Sequence, residues 1–298
     1  MKKAFITGIN GQDGSYLAEY LIELNYEVHG IVRRLSTPEN QSSRTLNFQD
    51  NIYTYYGDLL DQGGLERLLD KIQPDEIYNI AAQSHVRISF DVPQYTVQTN
   101  ALGVINILEA YKRSCPDAKF YQASSSEMFG LTVEEDNFQR ETTIMNPVSP
   151  YGCAKVFGYN IVRNYRRAYN LHATNGILFN HESPRRGFEF VTRKITHSVA
   201  RIKFGLQKDL KLGNMEAKRD WGHAKDYVEA MWLMLNQKKP DDFVISTGKH
   251  YSVRDFTKLA FELVDLDYKK FVKVEKKLYR PSEVESLLGD CKKAKKNL

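Results

Sequence analysis

Short apolar runs alternate with longer amphipathic stretches through the first 180 residues of the chain. The run at 4–7 predicts a buried strand, and Leu17, Leu21 and Leu24 follow it at helical spacing. The predicted strands are 4–7, 28–32, 54–59, 76–83, 119–123 and 172–179. Amphipathic helices are predicted in the intervals, including one long helix that carries Val97 and Leu108.

This strand and helix alternation predicts an α/β fold, a Rossmann-type doubly wound parallel sheet. After residue 179 the alternation gives way to scattered helices and short strands, such as 243–246 and a capped helix start at Ser252. We therefore predict a cofactor-binding Rossmann domain at 1–179. Residues 180–298 form mainly a smaller carboxyl-terminal substrate-binding lobe, with some elements returning to the sheet. The length alone allows either one large domain or a domain plus a lobe.

Composition narrows the functional class. Of the 298 residues 42% are hydrophobic and 27% charged, the balance of a globular protein. With no long apolar run or leader-like start, the chain is predicted to be cytoplasmic, without a membrane partner. Its three cysteines are widely spaced, and no acidic or histidine cluster has ligand spacing, so we predict neither disulfides nor a metal. The net charge of +5 comes from late lysines without interleaved aromatics, which predicts no nucleic-acid partner.

A glycine-rich turn joins the first strand to the first helix. Glycines at 8, 11 and 14 let the backbone approach a pyrophosphate, which the first amides of the helix then bind. The strand before it and the helix after it are the context that such a motif requires. The predicted cofactor contacts here are Gly8, Asn10, Gly11, Gln12, Asp13 and Gly14.

The second strand ends in two arginines. Arg33 lies 19 residues after Gly14, where enzymes that bind NAD place an acid for the ribose hydroxyl. Arg33 and Arg34 therefore favour NADP, although a solvated basic turn is the alternative. After the third strand, Asp58 either hydrogen-bonds an adenine amino group or caps the following helix.

A tyrosine and a lysine four residues apart, Tyr151 and Lys155, are predicted to share one helix face after the Pro-rich segment 146–150. A phenol has a pKa of about 10, which must fall by roughly 3 for it to act as a base near neutrality. One ammonium group supplies only part of this change, so a second positive charge, such as an oxidised nicotinamide, is needed. The alternative is an ordinary exposed helical pair.

Beyond the fifth strand, Ser125 and Glu127 are predicted to face the same way, since alternate residues of an extended segment share a face. A hydroxyl beside a carboxylate at the binding edge suggests catalysis, whereas a serine cluster alone also fits a capping turn. After the sixth strand, the polar loop 180–187 contains Arg185 and Arg186, which suit phosphate recognition.

Together these motifs resemble the GDP-mannose 4,6-dehydratase family of extended short-chain dehydrogenases/reductases. The most specific blocks are 83–90, 178–187 and 218–228. Three features depart from the family: Ser125 replaces its usual threonine, the stretch between Asp267 and Arg280 is shorter, and the chain ends at Leu298, where relatives continue. The carboxyl-terminal lobe is therefore expected to be shorter than in those relatives.

The resemblance implies an internal hydride transfer that converts GDP-mannose to GDP-4-keto-6-deoxy-mannose with NADP. It implies that the catalytic residues are Ser125, Glu127, Tyr151 and Lys155. It adds cofactor contacts at Asp58, Leu59, Gln83, Ser84, Tyr95, Lys155, His181 and Arg186. The implied substrate contacts are Asn180, Arg193, Arg219, Arg280 and Glu283.

The resemblance also implies a homo-oligomer, specifically a tetramer, because Arg33, Arg34, Ser36 and Arg44 match a family loop that reaches a neighbouring subunit. Other functions stay open. A 4-keto reductase or epimerase needs Tyr151 and Lys155 but not Glu127, and a sensor module holds NADP without turnover. A hydrolase using Ser125 with His85 or His181 lacks the G-x-S-x-G turn around that serine.

Overall fold

A central sheet of seven parallel strands organises the chain, which a computed structural model describes at residues 1–34 and 43–298. The strands are, in chain order, β1 (Lys3–Thr7), β2 (Glu27–Val32), β3 (Ile52–Tyr56), β4 (Glu76–Asn79), β5 (Lys119–Ser125), β6 (His172–Leu178), β7 (Asn180–Glu182), β8 (Leu210–Leu212), β9 (Lys218–Arg219), β10 (Trp221–His223), β11 (Asp242–Ile245), β12 (Tyr251–Ser252), β13 (Val272–Val274) and β14 (Ser286–Leu287). The central sheet has the order β11-β6-β5-β4-β1-β2-β3. The α/β doubly wound fold is thereby confirmed.

Helices cover both faces of this sheet. They are α1 (Gln12–Glu23), α2 (Gln62–Ile72), α3 (Val86–Asp91), α4 (Pro93–Val97), α5 (Gly103–Ser114), α6 (Pro150–Ala168), α7 (Val191–Lys203), α8 (Ala224–Leu235), α9 (Val253–Glu262) and α10 (Lys292–Asn297). Apolar side chains of α1 and α8 form the core on one face, and those of α2, α5 and α6 form the core on the other. Of the apolar residues predicted for the first helix, Leu17 and Leu21 are buried, whereas Leu24 follows the end of α1 and is exposed.

The strand order reverses between β1 and β4, which leaves a crevice at their carboxyl ends. The Thr7 hydroxyl holds this crevice together by donating to the Asn79 side-chain oxygen at 2.8 Å. The same hydroxyl oxygen accepts hydrogen bonds from the backbone amides of Ile80 and Ala81, each at 3.0 Å. The backbone after β4 is thereby drawn towards the end of β1.

The other seven strands in the described ranges form three small sheets: β7 with β10, β8 with β13, and β9 between β12 and β14. A separate apolar core joins α7 and α9 to β8. Two later elements return to the Rossmann domain, because β11 pairs with β6 and α8 packs beside α1. The division at residue 179 stays a prediction.

Some predicted elements end elsewhere in the structure. β3 ends at Tyr56 rather than residue 59, and β4 ends at Asn79 rather than residue 83, since the chain turns there towards the crevice. The long helix predicted through Val97 is interrupted, because a π-helical turn at Gln98–Leu102 separates α4 from α5. The helix start at Ser252 is confirmed by a capping box with Asp255.

None of the helices in the described ranges is both long and apolar enough to cross a membrane. Across the same ranges, no group of three or more His, Cys, Asp or Glu side chains is placed to hold a metal ion.

Candidate active site

Two connected clefts open at the carboxyl edge of the sheet. The glycine-turn cleft, of about 250 Å³, is lined by residues 8, 10–14, 31, 33, 57–59, 80–82, 84, 99 and 186. The Tyr151 cleft, of about 360 Å³, lies between the sheet edge and the carboxyl-terminal elements. Asp13, Ile80, Ala82, Ser84 and Arg186 line both clefts, so the two are continuous.

Backbone geometry builds the glycine-turn cleft. Gly8 has a φ of +72°, a conformation that residues with a Cβ rarely adopt. A Cβ on Gly14 would lie 2.2 Å from the Gly8 carbonyl oxygen, so only glycine fits there. The turn delivers the chain into α1, whose first amides point out of the helix and attract an anion.

The walls of this cleft suit a dinucleotide. Ala81 and Ala82 provide a flat, small-residue surface, and Leu59 also lines the cleft. The Thr99 hydroxyl is buried and makes no hydrogen bond, so a polar atom at the wall awaits a partner. A glycine cradle, a helix start and this hydroxyl together fit a nicotinamide dinucleotide.

Asp58 also lines the cleft, and its carboxylate accepts a hydrogen bond from the Leu60 amide at 2.9 Å. The alternative that Asp58 caps the next helix is wrong. Asp61 is the N-cap of α2 and accepts from the Gly64 amide at 2.9 Å. The helix is therefore capped by Asp61, three residues after Asp58, and Asp58 faces the cleft instead.

Among the arginines near this cleft, Arg33 lines the wall and donates a hydrogen bond to the Tyr95 hydroxyl. Arg44 donates to the carbonyl oxygens of Asn10 at 3.3 Å and Arg185 at 2.7 Å. It therefore contacts the glycine turn of its own chain. Ser36 lies outside the described residues.

A half-buried ion pair, Asp13 with His181, lies where the two clefts meet. His181 donates from Nε2 to the Asp13 carboxylate at 2.8 Å and from Nδ1 to the Phe179 carbonyl oxygen at 2.7 Å. Both oxygens only accept, so both ring nitrogens carry protons. Burial works to lower the pKa of His181, but the Asp13 carboxylate outweighs it and raises the pKa. Burial likewise opposes the ionisation of Asp13, yet His181 lowers the pKa of that carboxyl to about 2.

Tyr151 and Lys155 lie on the first turns of α6, and both side chains are buried in the Tyr151 cleft. Ser149 caps this helix by accepting from the Gly152 amide at 3.0 Å, and Pro150 occupies its first turn. The Lys155 ammonium donates to the Ala123 carbonyl oxygen at 2.8 Å and lies 5.7 Å from the centre of the Tyr151 ring. The alternative of an exposed helical pair is wrong.

Lys155 is predicted to lower the pKa of the Tyr151 phenol, but burial raises that pKa by more. Burial raises the pKa of Tyr151 to about 12, although the Ser125 hydrogen bond works in the opposite direction. Burial also lowers the pKa of Lys155 to about 8, so the ammonium is only moderately stable there. An acidic phenol therefore requires positive charge beyond Lys155.

Ser125 and Glu127 both line the Tyr151 cleft, but the predicted extended geometry is wrong. β5 ends at Ser125, and Ser126–Met128 form a 3₁₀ turn. The Ser125 hydroxyl oxygen accepts a hydrogen bond from the Glu127 amide at 3.2 Å, which begins that turn. The turn, rather than strand alternation, places the carboxylate beside the hydroxyl.

The opposite wall of the Tyr151 cleft carries charged side chains from the carboxyl-terminal elements. Arg280 pairs with Glu127 at 3.2 Å and with Glu283 at 3.4 Å. Arg219 pairs with Glu283 at 2.9 Å. Asn180 also faces this cleft, and its side-chain oxygen is buried without a hydrogen bond.

Four of the predicted contacts are not among the residues that line the two clefts in the described part of the chain: Arg34, Gln83, Tyr95 and Arg193. The Gln83 side chain bonds to His85 in its own loop and to Thr96 on α4. The Arg193 guanidinium lies over the Phe188 ring, 5.1 Å from its centre. Their roles stay predictions.

Sequence reasoning missed Lys194, which lines the Tyr151 cleft where Arg193 does not. On α7, Val191 and Lys194 are one helical turn apart and share the face towards the cleft. The sequence signal that could have indicated Lys194 was its helical spacing from the apolar Val191. Thr99 was also missed, because a single threonine in a helical segment gives no sequence signal for a binding site.

Comparison with known proteins places this geometry in context. The profile of the family described as GDP-mannose 4,6 dehydratase matches residues 5–298. A GDP-mannose 4,6 dehydratase from Arabidopsis thaliana is 51% identical, over 100% of this chain and 84% of that relative. The human GDP-mannose 4,6 dehydratase is 50% identical, over 99% of this chain and 86% of that relative. A crystal structure of UDP-glucose 4-epimerase from Thermotoga maritima with UDP-glucose superposes with a TM-score of 0.85 at 27% identity, covering 99% of this chain and 91% of the epimerase.

Proposed function

The chain belongs to the GDP-mannose 4,6-dehydratase family, and on that premise we propose how its clefts convert GDP-mannose to GDP-4-keto-6-deoxy-mannose and water. The enzyme is an NADP-dependent hydro-lyase. The observation that carries the proposal is that Ser125, Glu127 and Tyr151 line one cleft, which is continuous with the glycine-turn cleft.

The glycine turn and the start of α1 would hold the pyrophosphate of NADP, with Arg33 at the wall for the ribose phosphate. His181 and Arg186 would add positive charge where the clefts meet. Held there, an oxidised nicotinamide would supply the reversible hydride acceptor for sugar C4 and C6 and a positive charge beside the Tyr151 phenol.

Tyr151 is the proposed base for the C4 hydroxyl proton. Ser125, which hydrogen-bonds the phenol, would also bond the C4 oxygen and share that proton. Lys155, fixed by the Ala123 carbonyl oxygen, stabilises negative charge on the phenol. Ser125, Tyr151 and Lys155 thus act together to remove the proton from the C4 hydroxyl oxygen.

Glu127 is the proposed base and acid of the elimination. A ketone at C4 acidifies the C5 hydrogen, which the carboxylate removes as a proton. The resulting carboxylic acid then protonates the departing C6 hydroxyl, so water leaves and a C5=C6 double bond forms. Return of the hydride to C6 makes the methyl group, and a proton from water adds to C5 while Tyr151 releases the C4 hydroxyl proton to water. One buried carboxylate serves both steps because the proton it gains is the one that it donates.

Asn180, Arg219, Arg280 and Glu283 are the proposed contacts of the nucleotide-sugar, with the arginines near its diphosphate. The unpartnered oxygen of Asn180 supports this assignment, since a buried acceptor without a donor is costly. Arg193 would have to leave the Phe188 ring to take part.

We also propose a homo-oligomer, specifically a tetramer, in the cytoplasm. Val97 and Leu102, in the helical segment beside α6, and Phe157, on α6 itself, are apolar and 42%, 50% and 42% exposed. An apolar surface shared by neighbouring helices suits a second copy of the chain. Light scattering of Leu102→Glu beside the parent protein tests this, and an unchanged molar mass of the particle would count against it.

The proposed cytoplasmic location is supported by the buried thiols of Cys115 and Cys291, which form no disulfide.

The Glu127→Gln variant tests the proposed reaction. We expect ketone formation from GDP-mannose to fall by about 10²- to 10⁴-fold, the usual contribution of general acid–base catalysis, with cofactor still bound. Glu189→Gln is the matched control, because Glu189 lines the same cleft and has no proposed proton to transfer. Near-parental keto-sugar release by Glu127→Gln would refute the role of Glu127.

Isotopic labelling distinguishes dehydration from the reductase and epimerase alternatives. Deuterium placed at C4 of GDP-mannose should reappear at C6 of the same molecule, as mass spectrometry of the product would show. Deuterium that remains at C4 or exchanges with solvent would contradict the internal transfer.

A further inference from the structure

Four charged side chains form one chain of ion pairs across the Tyr151 cleft. Glu127 pairs with Arg280 at 3.2 Å, and the same Arg280 nitrogen lies 3.4 Å from Glu283. The Glu283 oxygen that Arg280 approaches also accepts from Arg219 at 2.9 Å. We call this set the Glu127–Arg219 chain; its two carboxylates and two guanidiniums leave no net charge.

The arginines proposed to bind the substrate diphosphate are already paired with glutamates. A diphosphate brings two negative charges into a wall whose cations already have partners. Glu127 is 7% exposed and Arg219 is 6% exposed, so water screens these pairs only weakly. The diphosphate must therefore compete with a glutamate for any arginine that it contacts.

Arg280 is the arginine able to change partners. Its side chain is 26% exposed, against 7% for that of Arg219. It lies in the irregular segment between the 3₁₀ turn Lys276–Leu278 and β14, whereas Arg219 belongs to β9, the middle strand of a small sheet. Arg219 can stay on Glu283 while Arg280 moves.

We propose that Glu127 and the substrate diphosphate compete for Arg280. Arg280 is paired with Glu127 in the structure, and we expect the substrate diphosphate to replace that carboxylate as its partner. This inference rests on the proposed function and gives Arg280 a positioning role beyond a substrate contact. It couples the arrival of the nucleotide end of the substrate to the release of the carboxylate that acts on the sugar.

The exchange has a chemical benefit. The hydrogen bond from Arg280 occupies one oxygen of Glu127, so that oxygen is not available to a substrate hydrogen. Once released, both Glu127 oxygens can approach the C5 hydrogen and then the C6 hydroxyl. Part of the binding energy of the diphosphate is thus used to prepare the catalytic group.

Binding of GDP, measured by calorimetry on the holoenzyme, tests the competition without turnover. Glu127→Gln removes the competing charge, so GDP should bind about tenfold tighter, within the usual range for coupled sites. A direct substrate contact would change affinity in the opposite direction. Glu189→Gln, in the same cleft but outside the Glu127–Arg219 chain, should leave the affinity unchanged.

Unchanged or weaker GDP binding by a folded, cofactor-loaded Glu127→Gln variant would overturn the proposal. A crystal structure of the GDP complex gives a second measurement that does not depend on any variant. Arg280 should contact the diphosphate and lie beyond hydrogen-bonding distance of Glu127, and a retained Glu127–Arg280 pair would also overturn it. Turnover of GDP-mannose by the parent enzyme is a separate assay, so a failed competition and a failed dehydratase assignment give different results.

Discussion

The two clefts are built in different ways. One wall of the glycine-turn cleft is the contiguous backbone between β1 and α1, and the segments that follow β2, β3 and β4 form the others. The Tyr151 cleft is made by side chains that approach from distant parts of the chain, such as Glu127 and Arg280. The backbone fixes the shape of the glycine-turn cleft, whereas the paired charges of the Tyr151 cleft can exchange partners. A cofactor that stays bound through the cycle suits the first design, and a substrate that must enter and leave suits the second.

The two clefts also differ in how deeply their supporting segments are buried. Strands β1 and β4 are almost entirely inaccessible to solvent, and Thr7 ties them together at their carboxyl ends. The segment around Arg280 carries no long helix or strand. The rigid part of the site thus lies under the cofactor and the adaptable part lies around the substrate.

The largest expected effect comes from filling the glycine-turn cleft at its backbone. In Gly14→Ala the new Cβ would meet the Gly8 carbonyl oxygen at 2.2 Å, so the turn must distort. We expect essentially complete loss of bound NADP, and thermal unfolding should show destabilisation of about 3 kcal/mol or more. The cofactor content is measured by absorbance after gel filtration.

Gly63→Ala is the matched control for this prediction. Gly63 lies in α2, where the nearest contact to a new Cβ is the flexible end of Arg67 at 3.4 Å. The variant should keep its cofactor and gain about 0.4 to 1 kcal/mol of stability. Equal cofactor loss in both variants would mean that the cleft does not depend on backbone shape.

The next effect tests the buried charge beside Tyr151. Because burial lowers the pKa of Lys155 to about 8, the ammonium loses its proton as the pH rises through that value. The kcat/KM should therefore be highest below this pH and fall about tenfold per pH unit above it. Lys155→Arg stays charged, so its residual activity should lack this alkaline decline; a profile identical to that of the parent would assign the decline to another group.

A smaller effect is expected where the clefts meet. His181→Gln removes the cationic partner of the Asp13 carboxylate at the start of α1, where the uncompensated charge would repel a pyrophosphate. Cofactor affinity, measured by calorimetry, should fall about tenfold. Adding Asp13→Asn should recover most of the loss, because the repelling charge is gone. A double variant that binds as weakly as His181→Gln would indicate a purely structural role.

The smallest effect concerns the helix that presents Tyr151 and Lys155. Ser149→Ala removes the N-cap of α6, which should cost about 0.5 to 2 kcal/mol of stability in denaturant unfolding. Activity per folded molecule should stay within about twofold, because Pro150 and the buried face of α6 still position both residues. A much larger loss of activity would show that the cap itself aligns Tyr151.

The sequence by itself determined the parts whose signals are local. Strand, glycine turn and helix are contiguous in residues 4–24, so apolar spacing and three glycines were enough to predict the cofactor side of the fold. The Tyr151 and Lys155 pair followed from helical spacing in the same way. Only the resemblance to a family pointed to Arg219, Arg280 and Glu283, since nothing in their neighbourhood in the sequence marks them.

Tertiary structure alone decided which groups meet and how strongly they ionise. Glu127 and Arg280 are 153 positions apart, and Asp13 and His181 are 168 apart, so no local pattern could pair them. The upward pKa shift of Tyr151 was equally unpredictable, because it arises mainly from burial. Both outcomes depend on packing between distant segments, which sets distance and desolvation together.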